Sequence, residues 1–264
     1  MAYQARIVLD SVNAAGDRLT TMEITYPRFV HSEFMTHRAF SRNAASSRAI
    51  PIEKTIKAVL DDPVTPVWWG KKQSGMQARE ELTEYAMAGA YVNWMKARDE
   101  AVMRARRLSE IGLHKQIVNR ILEPWAWITV LVSATEWHNF FRLRCHPDAQ
   151  PELQRIAYMM RDLYEASSPV EIADGEWHLP LYTGVEAGDL AYPLAVKVST
   201  GRCARISYLT HNGVRDLQED MRLHDDLMAD CHWSPFEHPA QAAPGERSGN
   251  FVGWRQYRQI VQSA

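Results

Sequence analysis

Thr36-His37-Arg38-Ala39-Phe40-Ser41-Arg42-Asn43-Ala44-Ala45-Ser46-Ser47-Arg48 gathers three arginines, a histidine and several small hydroxyl side chains into thirteen positions, with no acid among them. Arginine presents a rigid fork of donors matched to phosphate oxygens. Serine hydroxyls and loop N–H groups complete such a cradle. The same composition also suits a solvated basic helix end. A single aromatic residue, Phe40, interrupts the stretch, too few for the stacking platforms of a single-strand nucleic-acid groove.

The surrounding chain agrees with a small anionic ligand rather than a nucleic-acid polymer. Its 264 residues suffice for one large core, and 46% hydrophobic with 23% charged residues is a globular balance. Thirty Lys plus Arg against 32 Asp plus Glu leave a net charge of −2, which disfavours non-specific coating of DNA or RNA. No apolar run reaches the length of a membrane span. The amino-terminal stretch carries charges where a signal peptide needs its apolar core, so no export is expected. Cys145, Cys203 and Cys231 form no disulfide pattern. A cytoplasmic protein with a single domain over residues 1–264 is expected.

Working outward, residues 5–12 and 19–26 read as a hairpin around Ala14-Ala15-Gly16-Asp17. Pro27 suits a first helical turn, with Phe29, Val30, Phe34 and Met35 at helical spacing behind it. Residues 41–51 read as a polar loop, 53–60 as a short helix, and 77–107 as a long one. Ile111-Gly112-Leu113 interrupts it before a further helix over 114–122. The β-branched run within 125–132 predicts a buried strand. Helices are expected over 134–144, 149–164 and 214–229, with loop between 167 and 193 and a mixed segment over 235–264.

Two further stretches concentrate chemistry. In Trp137-His138-Asn139-Phe140-Phe141-Arg142-Leu143-Arg144, aromatic residues anchor one helix face while Asn139 and Arg142 project elsewhere, and Arg144 lies where the helix dipole favours a cation. An amphipathic core helix with a terminal charge reads equally well from these residues. Cys231-His232-Trp233-Ser234-Pro235-Phe236-Glu237-His238 lacks any zinc-site spacing, and no cysteine has a partner base in view. Neither a P-loop nor a dinucleotide fingerprint occurs. No metal is expected.

Together these stretches resemble the flavin-dependent thymidylate synthases. Thr36-His37-Arg38 stands where that family carries Arg-His-Arg, and Asn43-Ala44-Ala45-Ser46-Ser47-Arg48 follows at the family spacing. Tyr26-Pro27-Arg28-Phe29-Val30 is similar to the segment leading into that helix, and Asn139 to Arg144 and Asn119-Arg120-Ile121-Leu122-Glu123-Pro124 are similar to two further blocks. Cys203-Ala204-Arg205-Ile206-Ser207-Tyr208 and His232 to His238 resemble a module that precedes the Arg-His-Arg block in ordinary members, an order expected of circular permutation.

The resemblance implies a permuted α+β fold with a mixed sheet and a long-helix subdomain, assembled as a homotetramer with shared active sites. It implies FAD, methylene-tetrahydrofolate as one-carbon donor and NADPH as reductant, acting at C5 of a pyrimidine mononucleotide, from dUMP to dTMP. His37, Arg38, Asn139, His232, Ser234 and Glu237 would hold FAD. Ser46, Ser47, Arg48 and Arg120 would hold the nucleotide, Glu33 would meet it where a glutamine is usual, and Arg144 would stabilise its ionised pyrimidine. Thr36 and Ala44 replace the family's Arg and Glu, so 5-hydroxymethylation of dUMP or dCMP, or a non-catalytic nucleotide- or flavin-binding relative, are the alternatives.

Overall fold

The computed structural model describes residues 3–183, 191–208 and 216–263. Strands β1 (Gln4–Val12) and β2 (Arg18–Pro27) form the expected antiparallel hairpin. Asn13 Oδ1 closes its turn by accepting from the Ala15 and Asp17 amides, each at 3.0 Å, and Gly16 takes a φ of 87°. A 3₁₀ turn over Arg28–Val30 then leads into α1 (His31–Met35).

The first departure follows. Instead of loop, Ser41–Ala44 forms β3, an edge strand antiparallel to β4 (Trp127–Ala134). Ser-Arg-Asn-Ala has no β-branched residue, so propensity concealed it; the ladder offered by β4 makes it a strand. Helix α2 (Ile52–Asp61) matches expectation. Helix α3 (Glu84–Glu110) starts later than its periodicity suggests, capped by Thr83, because the preceding residues pair back onto 69–71. After the Gly112 break come α4 (Lys115–Val118) and a 3₁₀ segment, Asn119–Trp125, that retains Pro124.

Helix α5 (His138–Arg144) starts four residues later than expected, since Ala134 closes β4, and α6 (Pro151–Ala166) has the expected length, displaced by two residues. The expected loop after 167 holds two short strands, β5 (Val170–Glu171) and β6 (Trp177–His178), and from Tyr192 it gives way to helix α7 (Tyr192–Tyr208). The expected helix at 214–229 is α8 (Leu217–Ala229); residues 214 and 215 lie outside the described residues. The mixed end resolves into β7 (Ala240–Ser248), β8 (Phe251–Gln256) and α9 (Tyr257–Ser263).

Five strands build a mixed sheet in the order β3-β4-β2-β1-β5, antiparallel except for β1 with β5, and β6-β7-β8 form a second sheet. The fold is therefore α+β. One face of the large sheet, with Met22, Ile24, Tyr26, Ile128, Val130 and Val132, is covered by α1, α5 and α6 through residues such as Phe34, Phe140 and Ile156. On the other face Leu131 packs against Cys203 and Ile206 of α7. Coverage on both faces explains why β4 reads as continuous apolar sequence. A separate cluster, Ile56, Val59, Val102, Ala105, Val118, Leu122 and Trp125, joins the long helix α3 to α2 and the 119–125 turn.

A buried polar chain ties the second sheet to the first. Ser11 Oγ meets His178 Nδ1 at 2.8 Å, and His178 Nε2 meets Thr21 Oγ1 at 2.8 Å. Thr21 Oγ1 continues to Ser133 Oγ at 2.6 Å, and Ser133 Oγ to His238 Nδ1 at 2.8 Å. Burial pushes both imidazoles down to about 3, so each is neutral in the folded chain. Unfolded histidine titrates near 6.5 and binds the proton that the folded form refuses. Stability contributed by these histidines is therefore complete above about pH 6.5 and declines as pH falls toward 3. Urea midpoints across that window will fall with acidification, and less steeply in His178→Gln.

Gly201 on α7 approaches α8 so closely that an added Cβ would lie 2.2 Å from the Asp220 carbonyl oxygen. Backbone cannot rotate away, so Gly201→Ala is expected to destabilise by about 1–3 kcal/mol or more, read from the denaturant midpoint.

Candidate functional site

The Thr36–Arg48 block begins where α1 ends. Thr36 Oγ1 donates to the Glu33 carbonyl at 2.7 Å, terminating the helix and turning His37 inward. The His37 ring stands edge-on to Phe140 at 4.8 Å, so the aromatic anchor of α5 also brings that helix's polar end into register. Arg144 Nε then donates to His37 Nε2 at 2.8 Å, and Arg144 Nη2 lies 3.4 Å from Thr36 Oγ1. Burial, then the Arg144 and Arg42 guanidiniums, hold the His37 pKa down at about 4. A neutral imidazole accepting at Nε2 carries its proton on Nδ1, so this contact assigns the tautomer. A cavity of about 210 Å³ opens here, lined by His37, Arg38, Asn139 and Arg144 together with Glu136 and Leu143. Four of the expected site residues thus converge from two segments a hundred residues apart.

Beyond β3 the chain enters a second polar cluster. Ser47 Oγ donates to Glu123 Oε1 at 3.0 Å, Arg120 Nη1 donates to the same oxygen at 2.9 Å, and Arg28 Nε lies 2.8 Å from it. Asn119 Nδ2 donates to the Ser47 and Ile50 carbonyls at 2.7 and 2.9 Å, and Lys115 Nζ to the Ala49 carbonyl at 3.0 Å. These bonds pin the 45–50 loop, which carries half-buried Ser46 and exposed Arg48. Within the chain, this cluster and the Arg144 cavity share no lining residue.

The remaining expected residues lie elsewhere. Glu33 accepts from Ser32 Oγ at 3.2 Å and lines neither cavity. Ser234 Oγ donates to Asn43 Oδ1 at 2.8 Å, Glu237 pairs with Arg258, and His232 is exposed. Asn43 Nδ2 donates to the Cys203 carbonyl at 2.9 Å, so both carboxy-terminal stretches meet the first block at β3. Among the described residues, no grouping of His, Cys, Asp and Glu could hold a metal ion.

Several residues of the site escaped sequence reading. Arg28, Asn119 and Glu123 stand inside informative stretches, yet their roles depend on one another. Arg42 Nη1 donates to the Met35 and His37 carbonyls at 2.9 and 3.1 Å, clasping the turn around Thr36. His31 Nδ1 meets Tyr26 Oη at 2.7 Å, and burial with the nearby Arg28 and Arg42 charges lowers its pKa to about 4. No spacing rule singles out either residue.

Comparison with known proteins follows the same lines. A model of the thymidylate synthase complementing protein family matches residues 19–170, more than half of the chain and both polar clusters. No curated protein matches the sequence. The solved UMP/dUMP methylase PolB from Streptomyces cacaoi, bound with 5-Br UMP, is similar with a TM-score of 0.50 and 13% identity over 62% of this chain and 88% of that one. Its complex with 5-Br dUMP gives 0.48 and 14% over 62% and 90%. At such identity the likeness is one of fold.

The Arg144–His37 contact makes a direct prediction. Removing the cation in Arg144→Ala will raise the His37 pKa from about 4, as read from imidazole resonances in an NMR titration. The pH window over which His37 costs stability, from about 6.5 down to the folded value, narrows accordingly.

Proposed function

The chain belongs to the thymidylate synthase complementing protein family, the flavin-dependent thymidylate synthases, and on that premise we propose that it transfers a one-carbon unit to C5 of a pyrimidine mononucleotide, in the manner of dUMP to dTMP. The observation that carries this reading is the Arg144 guanidinium, held against neutral His37 in a cavity shared with Arg38 and Asn139. A guanidinium stays charged at every relevant pH, and its paired donors match the oxygen and nitrogen of an ionised pyrimidine ring. That anion is the more nucleophilic form at C5. His37 takes Nε–H and Thr36 Oγ1 lies 3.4 Å from Nη2, so the remaining Nη hydrogens of Arg144 are available to a ring.

Phosphate recognition falls to Ser46, Ser47, Arg48 and Arg120. Arg28 and Arg120 share Glu123, which holds their forks beside the loop in the absence of ligand. An incoming phosphate adds to that network and bonds to the exposed Arg48 fork. In a single protomer these residues and Arg144 stand apart. A site combining one copy's loop with another's Arg144 would unite them, which supports a homotetramer with shared sites.

The residues fit a flavin. Arg38 and Asn139 offer donors at the mouth of the cavity, and a neutral imidazole with Phe40 and Phe140 supplies a largely apolar wall. His37, Arg38 and Asn139 would hold FAD, with Ser234, Glu237 and His232 contributing from the carboxy-terminal stretch across the assembly. Bound FAD supplies the redox chemistry, with methylene-tetrahydrofolate as carbon donor and NADPH as reductant. The contacts of Asn43 with Ser234 and Cys203 support reading residues 203–238 as the displaced amino-terminal module of a permuted chain.

Hydroxymethylation of dUMP or dCMP is the second reading, favoured by Thr36 and Ala44. Two charged groups of the family pattern are missing beside the cavity and the loop, where product outcome would be set. No helix among the described residues is long and apolar enough to cross a membrane.

Mass analysis of products from dUMP, dCMP and UMP, with the flavin-loaded chain, folate donor and NADPH, tests the proposal. A C5 adduct on at least one nucleotide is expected, its mass separating methyl from hydroxymethyl; no modification of any of the three overturns it. Arg144→Ala is expected to lower turnover by at least about 100-fold while its unfolding midpoint moves little.

A further inference from the structure

Three arginines stand in the Thr36–Arg48 block, and the function proposed above uses only Arg38 and Arg48. The third, Arg42, is placed by β3. Ser41 and Asn43 are buried toward the carboxy-terminal half, so strand alternation sends Arg42 to the other face, at the end of α1. There its Nη1 donates to the Met35 carbonyl at 2.9 Å and to the His37 carbonyl at 3.1 Å. The guanidinium is half-buried, and burial lowers its pKa. A cation held away from water by neutral carbonyls pays a desolvation cost, and capping a helix of five residues returns little against it.

The two carbonyls belong to one turn, and that turn carries the side chains that hold Arg144. His37 Nε2 accepts from Arg144 Nε at 2.8 Å, and Thr36 Oγ1 lies 3.4 Å from Arg144 Nη2. Arg42 thus grips the backbone of the turn whose side chains grip Arg144. Its charge works in the same direction. Burial first, then Arg144 from α5 and Arg42 from β3, keep the His37 imidazole neutral, while Arg38 and Glu136 line the same cavity. Only a neutral imidazole accepts the Arg144 Nε–H.

We propose that Arg42 is a positioning residue for the one-carbon transfer: by clamping the Met35 and His37 carbonyls it fixes Thr36 and His37 as the two-point rest that aims the Arg144 fork at the pyrimidine. Arg42 does not line the cavity, so its effect on turnover passes through Arg144. That effect rests on the function proposed above; the clamp itself does not.

Two variants of the intact, flavin-loaded protein test the proposal. Arg42→Met removes charge and donors. Arg42→Lys keeps both, and because a single Nη1 serves the two carbonyls, an ammonium can replace it. Arg42→Met is expected to lower kcat at least about tenfold with the nucleotide KM within about twofold. In the Arg144→Ala background the same substitution should lower kcat less than about twofold, because the group it positions is already gone. Arg42→Lys should recover most of the loss. By NMR titration the His37 pKa should rise from about 4 toward its ordinary 6.5 in Arg42→Met and stay near 4 in Arg42→Lys. If Arg42→Met does not fold, Arg42→Gln, uncharged and polar, takes its place in the same comparisons. Equal kcat losses in both backgrounds, a loss confined to KM, an unmoved His37 pKa in the uncharged variant, or an Arg42→Lys no better than it each overturn the proposal. The imidazole titration needs no turnover, so a chain that modifies no nucleotide yet shows the His37 shift refutes the proposed function and leaves the clamp standing.

Discussion

Asn43 holds two distant parts of the chain against one edge of the sheet. Its amide nitrogen donates to the Cys203 carbonyl on α7, and its oxygen accepts from Ser234 beyond α8. The residue is almost fully buried, so both bonds form away from competing water. Strand alternation does the rest. Ser41 and Asn43 face the carboxy-terminal half, where Ser41 also meets Asn250 and Gln256, while Arg42 is directed to the turn at Met35 and His37. A one-residue slip of β3 would exchange these faces and dissolve both sets of contacts.

This edge strand also separates the two polar clusters. Upstream of it the chain delivers His37 and Arg38 to the cavity beside α5; downstream it delivers Ser46, Ser47 and Arg48 to the loop beside the 119–125 turn. The two clusters handle charge differently. Around His37 the guanidiniums of Arg42 and Arg144 have carbonyl, imidazole and hydroxyl partners, and the imidazole stays neutral. Around the loop a single carboxylate, Glu123, gathers Arg28, Arg120 and Ser47. Positive charge is thereby kept in place without being fully neutralised, an arrangement suited to an anionic ligand.

The histidine chain through the sheet serves a different purpose. His178 and His238 are neutral and wholly enclosed, and their value lies in connecting β6 and the start of β7 to β1, β2 and β4. Hydroxyl partners meet both nitrogens of His178 and Nδ1 of His238 without introducing charge into the core, while His238 Nε2 is buried without a hydrogen-bond partner.

Much of this was readable from local patterns. The hairpin, the buried strand β4, the long helix α3 and the basic block with its partner stretch at Asn139 to Arg144 follow from periodicity, turn chemistry and residue type, all of which act over a few positions. What sequence alone could not supply is whatever depends on a distant partner. Ser41–Ala44 carries no strand propensity and became a strand because β4 offered it a ladder. Arg28, Arg42, Asn119 and Glu123 are ordinary polar residues until folding sets them side by side. The family resemblance named Arg120 and Arg144; only tertiary structure decided that Arg144 meets His37 while Arg120 meets Glu123, because the first pairing closes a loop of chain that no short-range rule can see and the second is chosen by the cluster around Glu123.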